Sequence, residues 1–129
     1  MTQQERPKTA GDFLRTWHAL NDVGNTAGLE KLESQFPELA ETEPDMTLDI
    51  LRDLAASDAR GATEAAAIYA RYLFQHRPTE TTDLLVTLFQ SGDPDIQENV
   101  LSSADVITSD PQRRNPVQTA NLITAVKAR

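Results

Sequence analysis

The fold of this chain is indicated most clearly by residues 92–107, which read Gly92-Asp93-Pro94-Asp95-Ile96-Gln97-Glu98-Asn99-Val100-Leu101-Ser102-Ser103-Ala104-Asp105-Val106-Ile107. Gly92 can end a preceding helix in the left-handed conformation, and Asp93 can cap the next helix with its carboxylate. Pro94 fits the first helical position, where a missing N–H breaks no hydrogen bond. Apolar residues then follow at helical spacing: Ile96, Val100, Ala104 and Ile107. This stretch therefore predicts a well-delimited amphipathic helix.

Similar start signals divide the rest of the chain into helices. The predicted starts are Thr9, Thr26, Thr42, Ser57 or Asp58, Thr79, Asp93, Asp110 and Asn115. We expect Pro37 to end or kink the second helix, which carries Phe36 on its apolar stripe. The last start leads into the stripe Val117, Ala120, Ile123 and Val126. No segment alternates with period two, so the sequence predicts an all-α fold of about seven helices.

The apolar pattern repeats at an interval of about 34 residues. Leu14, Trp17 and Leu20 recur one interval later as Leu48, Leu51 and Leu54, and the second helices also correspond at nearly this interval. A helix pair repeated at this period predicts stacked antiparallel hairpins, with a chance leucine register as the alternative. We expect repeats near residues 9–41, 42–77 and 78–110 and a closing helix over 111–129. Together they would form a single domain after a flexible N-terminus, residues 1–8.

Residues 42–110 resemble the HEAT-like, or armadillo-like, helical repeats. In those repeats the second helix typically starts with Asp, followed by an apolar residue, Arg, and small or apolar residues at helical spacing. The matching residues are Asp93, Ile96, Val100, Ser103, Ala104 and Ile107, and more loosely Asp58, Ala65, Ile68 and Tyr69. Gln97 stands where the family usually has Arg. The resemblance implies a right-handed α-α superhelix with a concave face that holds another macromolecule.

Composition and charge narrow the class of partner. The net charge is −8 and the pI about 4.6, which disfavours binding to nucleic-acid phosphates. The charge is uneven, because residues 79–111 carry seven acids and no base, whereas residues 112–129 carry four bases and no acid. There is no cysteine, and neither a signal peptide nor an apolar run long enough for a membrane span is seen. We therefore expect a soluble cytoplasmic protein.

Local clusters of polar residues have structural explanations. Asp93, Asp95 and Glu98 could hold a metal, but acids at a helix N-terminus also cap the helix, and the rest of a calcium loop is missing. His18 and His76 have no neighbouring residues that suggest a nucleophile. Glycine-rich phosphate loops are absent. We expect no metal, no cofactor and no enzymatic activity.

The predicted function is a non-enzymatic interaction module that offers a mainly acidic concave face to a basic peptide or protein. In a repeat stack, the exposed side of each second helix lines this face. Its predicted residues are Glu30, Glu33, Glu64, Arg71, Gln97, Glu98 and Asp105. The alternatives are an acidic inhibitor or immunity-type protein that occludes a nucleic-acid-binding partner, and an enzyme with an unrecognised site. The acidity could also serve solubility alone.

Overall fold

The computed structural model describes residues 9–59, 61–109 and 116–127, and these form eight α-helices and no strand. The helices are α1 (Ala10–Asp22), α2 (Thr26–Glu33), α3 (Phe36–Thr42), α4 (Pro44–Ala56), α5 (Ala62–Leu73), α6 (Pro78–Phe89), α7 (Pro94–Ser109) and α8 (Pro116–Lys127). The predicted all-α fold is confirmed. The segment 1–8 and the predicted start at Asp110 lie outside the described residues.

The strongest predicted helix start has the expected geometry. Gly92 has a φ of 84°, in the left-handed region that favours glycine. The Asp93 carboxylate accepts hydrogen bonds from the backbone N–H groups of Asp95 at 2.9 Å and Ile96 at 3.4 Å. The helix α7 then begins at Pro94. The local signals of this stretch are therefore sufficient to define where α7 begins.

Five predicted boundaries were wrong. The helix α4 begins at Pro44 with Glu43 as its N-cap, and not at Thr42, and α6 begins at Pro78 with Arg77 as its N-cap, and not at Thr79. Asn25, rather than Thr26, caps α2, because its Oδ1 accepts from the backbone N–H of Gly28 at 2.9 Å. The helix α5 begins at Ala62, after the left-handed Gly61, and not at Ser57 or Asp58. Phe36 does not end α2 but begins a separate helix, α3, which has proline in its first turn. This division explains why the described residues contain eight helices instead of about seven.

The helices pack in two layers. The A layer consists of α1, α4, α6 and α8, in which α1 contacts α4, α4 contacts α6, and α6 contacts α8. The B layer consists of α3, α5 and α7, in which α3 contacts α5 and α5 contacts α7, while α2 packs on α1. Each B-layer helix after α3 also packs on the A-layer helices before and after it in the chain, α4 and α6 for α5, and α6 and α8 for α7. From α4 onward the helices therefore alternate between the two layers along the chain.

A continuous apolar core lies between the layers of the described helices. Its largest fully buried side chains are Phe13, Phe36, Phe74, Leu39, Ile50, Leu51, Leu54, Leu73, Leu85, Ile107, Leu122 and Val100. Of the four predicted inward residues of α7, Val100, Ala104 and Ile107 are buried, and Ile96 is half-buried against the core. The buried face of α7 is therefore the one that its apolar periodicity indicates.

Of the predicted inward stripe of α8, only Val126 is buried, and Val117, Ala120 and Ile123 are exposed. Leu122, Val126 and the less apolar Thr119 are buried, whereas Val117 is 66% exposed and Ile123 36%. Small and apolar residues occur on all sides of α8, so periodicity does not select the buried face. Packing against α6 and α7 makes that selection.

Candidate interaction surface

The exposed sides of α5 and α7 meet at Arg71. Its Nη2 donates to Ser102 Oγ at 3.2 Å, and its Nε donates to Ser103 Oγ at 3.3 Å and to the Ile68 carbonyl at 3.1 Å. Ser103 is fully buried, and its hydroxyl donates to the Ala67 carbonyl at 2.6 Å. The Ser103 oxygen is thereby oriented to accept from Arg71. Arg71 is thus held at the seam between α5 and α7.

Acidic residues flank this seam on both helices. Ser102 belongs to the exposed stripe of α7, with Glu98 one turn before it and Asp105 one turn after it. On α5, the half-buried Glu64 lies two turns before Arg71 on the same side of the helix. Because Arg71 contacts Ser102, these three carboxylates lie on one surface of the B layer.

A second hydrogen bond extends this surface to α2. The hydroxyl of Tyr72, on α5, donates to Oε2 of Glu33 at 3.0 Å. Both residues are half-buried, and Glu30 is exposed one turn before Glu33. The helix α2 is therefore joined to α5 by a hydrogen bond to a charged group, and such bonds are stronger than those between neutral groups.

We call this region the outer B surface and define it by Glu30, Glu33, Glu64, Arg71, Glu98, Ser102 and Asp105. Six of the seven predicted site residues belong to this surface by definition, and all of these except Arg71 are acids. The surface carries five carboxylates and one guanidinium. It can attract cationic side chains by charge and accept hydrogen bonds from them.

An aromatic cluster supports the α2 end of this surface. The rings of Phe13 and Phe36 are 5.7 Å apart, and the ring of Phe36 lies 5.1 Å from Tyr69 and 6.2 Å from Tyr72. Burial is the main reason that the pKa of Tyr69 is raised to about 12. The charges of nearby Glu33 and Tyr72 add to this rise, and a hydrogen bond with Trp17 partly opposes it. The Glu33–Tyr72 bond is thus anchored on a packed core.

Gln97 is the predicted site residue that the structure places apart from the seam. Its side chain is half-buried, and its Nε2 donates to the Phe89 carbonyl at 2.9 Å, in the last turn of α6. Gln97 therefore links α7 to α6 and satisfies a helix-end carbonyl. Sequence reasoning missed the roles of Ser102, Ser103 and Tyr72, since serine and tyrosine at these spacings also fit an ordinary helix.

The other polar features of the sequence have structural partners. The Asp93 carboxylate caps α7, and the His18 ring packs edge-on against Trp17 with 5.1 Å between centroids. Within residues 9–59, 61–109 and 116–127, no group of three or more His, Asp or Glu residues is arranged to hold a metal ion. The Asp93 cluster thus has an observed structural role as the cap of α7.

Comparison with known proteins adds no family assignment. No protein-family model, curated protein or solved structure matches this chain. Among the described helices, none combines the length and the apolar character that crossing a bilayer requires.

Proposed function

We propose that this chain is a non-enzymatic, cytoplasmic interaction module that binds a basic peptide or protein through the outer B surface. The observation that supports this function best is the Arg71–Ser102 hydrogen bond, which joins the acidic sides of α5 and α7. The Tyr72–Glu33 bond adds the acidic side of α2. The helices α2, α5 and α7 therefore offer carboxylates on one surface.

The chemistry of this surface fits an amphipathic basic segment. Lysine or arginine side chains would pair with Glu64, Glu98 and Asp105, which steers association and makes it sensitive to salt. The half-buried Ile68 and Tyr72 would contact the apolar side of the same segment. Exposed charge pairs contribute modestly to affinity, so these apolar contacts would supply part of the binding free energy.

The likeness to HEAT-like repeats is part of this proposal. It is supported by the two helix layers and by the Asp93 cap of α7. At the position where those repeats usually carry Arg, Gln97 contacts the preceding helix α6. If the likeness holds, the outer B surface corresponds to the face that such proteins use to hold other macromolecules.

The test compares two variants with the same change in net charge. The first reverses Glu64, Glu98 and Asp105 to Lys on the outer B surface. The matched control reverses the exposed A-layer acids Asp49, Asp53 and Asp83 to Lys. A labelled amphipathic peptide of lysine and leucine is titrated against each protein by fluorescence anisotropy, at about 0.05 M and 0.5 M salt. A peptide with glutamate in place of lysine measures binding that does not depend on its charge.

We expect the outer B reversal to weaken binding of the basic peptide at least ten-fold, on the order of 1.4 kcal/mol. The A-layer reversal should change the affinity much less, and high salt should weaken binding to the wild-type protein. Helical content and melting temperature should stay nearly constant in both variants, because exposed charges contribute little to stability. Equal losses in the two variants would mean that net charge alone attracts the peptide, and the proposed surface would be wrong.

A further inference from the structure

A positive charge lies within the acidic stripe of α7. Glu98 and Asp105 occupy the exposed side of this helix and are separated by about 10 Å along its axis. Ser102 lies between them on the same side, and its hydroxyl accepts a hydrogen bond from Nη2 of Arg71 at 3.2 Å. A partner segment aligned with α7 therefore meets a carboxylate, a guanidinium and a second carboxylate in turn.

The packing beneath Arg71 fixes the place of this positive charge. Its Nε donates to the Ile68 carbonyl at 3.1 Å and to Oγ of Ser103 at 3.3 Å. Ser103 is fully buried, and its hydroxyl donates to the Ala67 carbonyl at 2.6 Å, which orients its oxygen toward Arg71. A side chain that is already held by two helices loses little further conformational entropy when a partner binds. The guanidinium is therefore a preorganised element of the outer B surface.

We propose that Arg71 determines which basic partners the outer B surface accepts. The preferred partner is an amphipathic helix with Lys or Arg at positions i and i+7 and with Asp or Glu between them, at i+3 or i+4. These positions share one face of a helix and match the spacing of Glu98, Ser102 and Asp105 on α7. This inference rests on the function proposed above.

The selection follows from the order of charges along α7. The two basic residues of the partner would pair with Glu98 and Asp105 and neutralise them. The position between them then meets the charge of Arg71, which attracts a carboxylate and repels an ammonium group. A uniformly basic helix is therefore accepted less well than its net charge suggests, because one of its cations faces the guanidinium.

The test uses helical peptides that are identical except at positions i+2 and i+4. The alternating peptide has Lys at i and i+7, Glu at i+4 and Gln at i+2. The shifted peptide exchanges Glu and Gln, which moves the acid to the opposite side of the helix at the same composition and charge. The lysine peptide has Lys at i+4 and Gln at i+2. Affinities are measured by fluorescence anisotropy at about 0.05 M salt, where screening is weak.

Each peptide is titrated against the wild-type chain and three variants. Arg71→Gln removes the positive charge from the seam, whereas Arg71→Lys keeps it. The matched control is Arg52→Gln, which makes the same change in net charge at an exposed position of α4 in the A layer. Circular dichroism melting of each variant establishes that it is folded. Differences in helicity among the free peptides cancel, because every peptide is compared across the same four proteins.

We expect the wild type to bind the alternating peptide about three- to five-fold more tightly than the shifted peptide, as for one charge pair near a protein surface. Arg71→Lys and Arg52→Gln should keep this preference, and Arg71→Gln should lose it. Arg71→Gln should also bind the lysine peptide at least two-fold more tightly than Arg52→Gln does. Damage to the fold would not produce this gain in affinity.

The outcomes separate this inference from the proposed function. If the wild type bound the alternating and shifted peptides equally, and reversal of Glu64, Glu98 and Asp105 weakened both, the inference would be overturned and the proposed function kept. A preference that survived Arg71→Gln would overturn it too, because other residues would then make the selection. If the wild type bound none of the peptides, the proposed function would itself be wrong, and this inference with it.

Discussion

Two neighbouring threonines of α6 provide a sharp test of the described packing. Thr81 and Thr82 are both buried, with exposed fractions of 0% and 3%. The Thr82 hydroxyl donates to the Pro78 carbonyl at 2.7 Å. The Thr81 hydroxyl finds no hydrogen-bond partner among the described residues. Replacing each by valine removes a hydroxyl from a similar environment, but only one of the two replacements breaks a hydrogen bond.

The expected effects have opposite signs. Burying an unpaired hydroxyl costs about 1–3 kcal/mol, so Thr81→Val should stabilise the protein by about 1–2 kcal/mol. At Thr82 the lost hydrogen bond should cost about 0.5–1.5 kcal/mol. Threonine and valine have similar helix propensities and shapes, so these contributions nearly cancel in the comparison. The free energies of unfolding of the two variants should therefore differ by about 1.5 kcal/mol or more.

The assay is urea denaturation of the wild type and both variants, followed by circular dichroism. The urea midpoint should rise for Thr81→Val and fall for Thr82→Val, with an unchanged slope. In thermal melts, each kcal/mol corresponds to roughly 3–5 °C for a domain of this size. If both variants lost stability to a similar degree, the Thr81 hydroxyl would have to be hydrogen-bonded, and the packing of α6 described above would be wrong.

Two further predictions concern α7 and α5. Val100→Asp places a carboxylate at a fully buried position and should lower the free energy of unfolding, measured by urea denaturation, by several kcal/mol. Gln97→Ala should lower it by only about 1 kcal/mol, through the lost hydrogen bond to the Phe89 carbonyl. Equal losses would contradict the assignment of the buried face of α7. Burial of Tyr69 should make folding sensitive to alkali, since its pKa is about 10 in the unfolded chain and about 12 in the folded one. This contribution to stability is complete below pH 10 and is lost as the pH rises through about 12, because the unfolded state releases the proton first. Alkaline denaturation of Tyr69→Phe should show a shallower loss between these values, and an identical slope would contradict the burial of the Tyr69 hydroxyl.

Local sequence signals predicted much of the helical architecture. The Gly92-Asp93-Pro94 start of α7 and the buried positions of Val100 and Ile107 followed from capping chemistry and from a period near 3.6. These signals act over three or four neighbouring residues, so they can be read without knowledge of the fold. The same local rules were insufficient around Phe36, where one more helix boundary occurs than periodicity indicates.

The candidate surface was only partly predictable. Spacing placed Glu64, Glu98 and Asp105 on the exposed sides of their helices; in the structure Glu98 and Asp105 are exposed and Glu64 is half-buried. The bonds that join those helices connect residues far apart in the chain: Arg71 and Ser102 are separated by 31 positions, and Glu33 and Tyr72 by 39. No pattern within one helix encodes such a pairing, because it depends on how α2, α5 and α7 are packed.

The sequence by itself determined that this chain is helical, where α1 and α7 begin, and which face of α7 is buried, because local hydrogen bonding and apolar periodicity act within a few residues. Only the tertiary structure decided that Arg71 is held between α5 and α7, that Gln97 contacts α6, and that Val117 faces outward on α8. These features depend on neighbours supplied by distant segments. Where apolar residues surround a helix, as in α8, the available packing partner chooses the buried side.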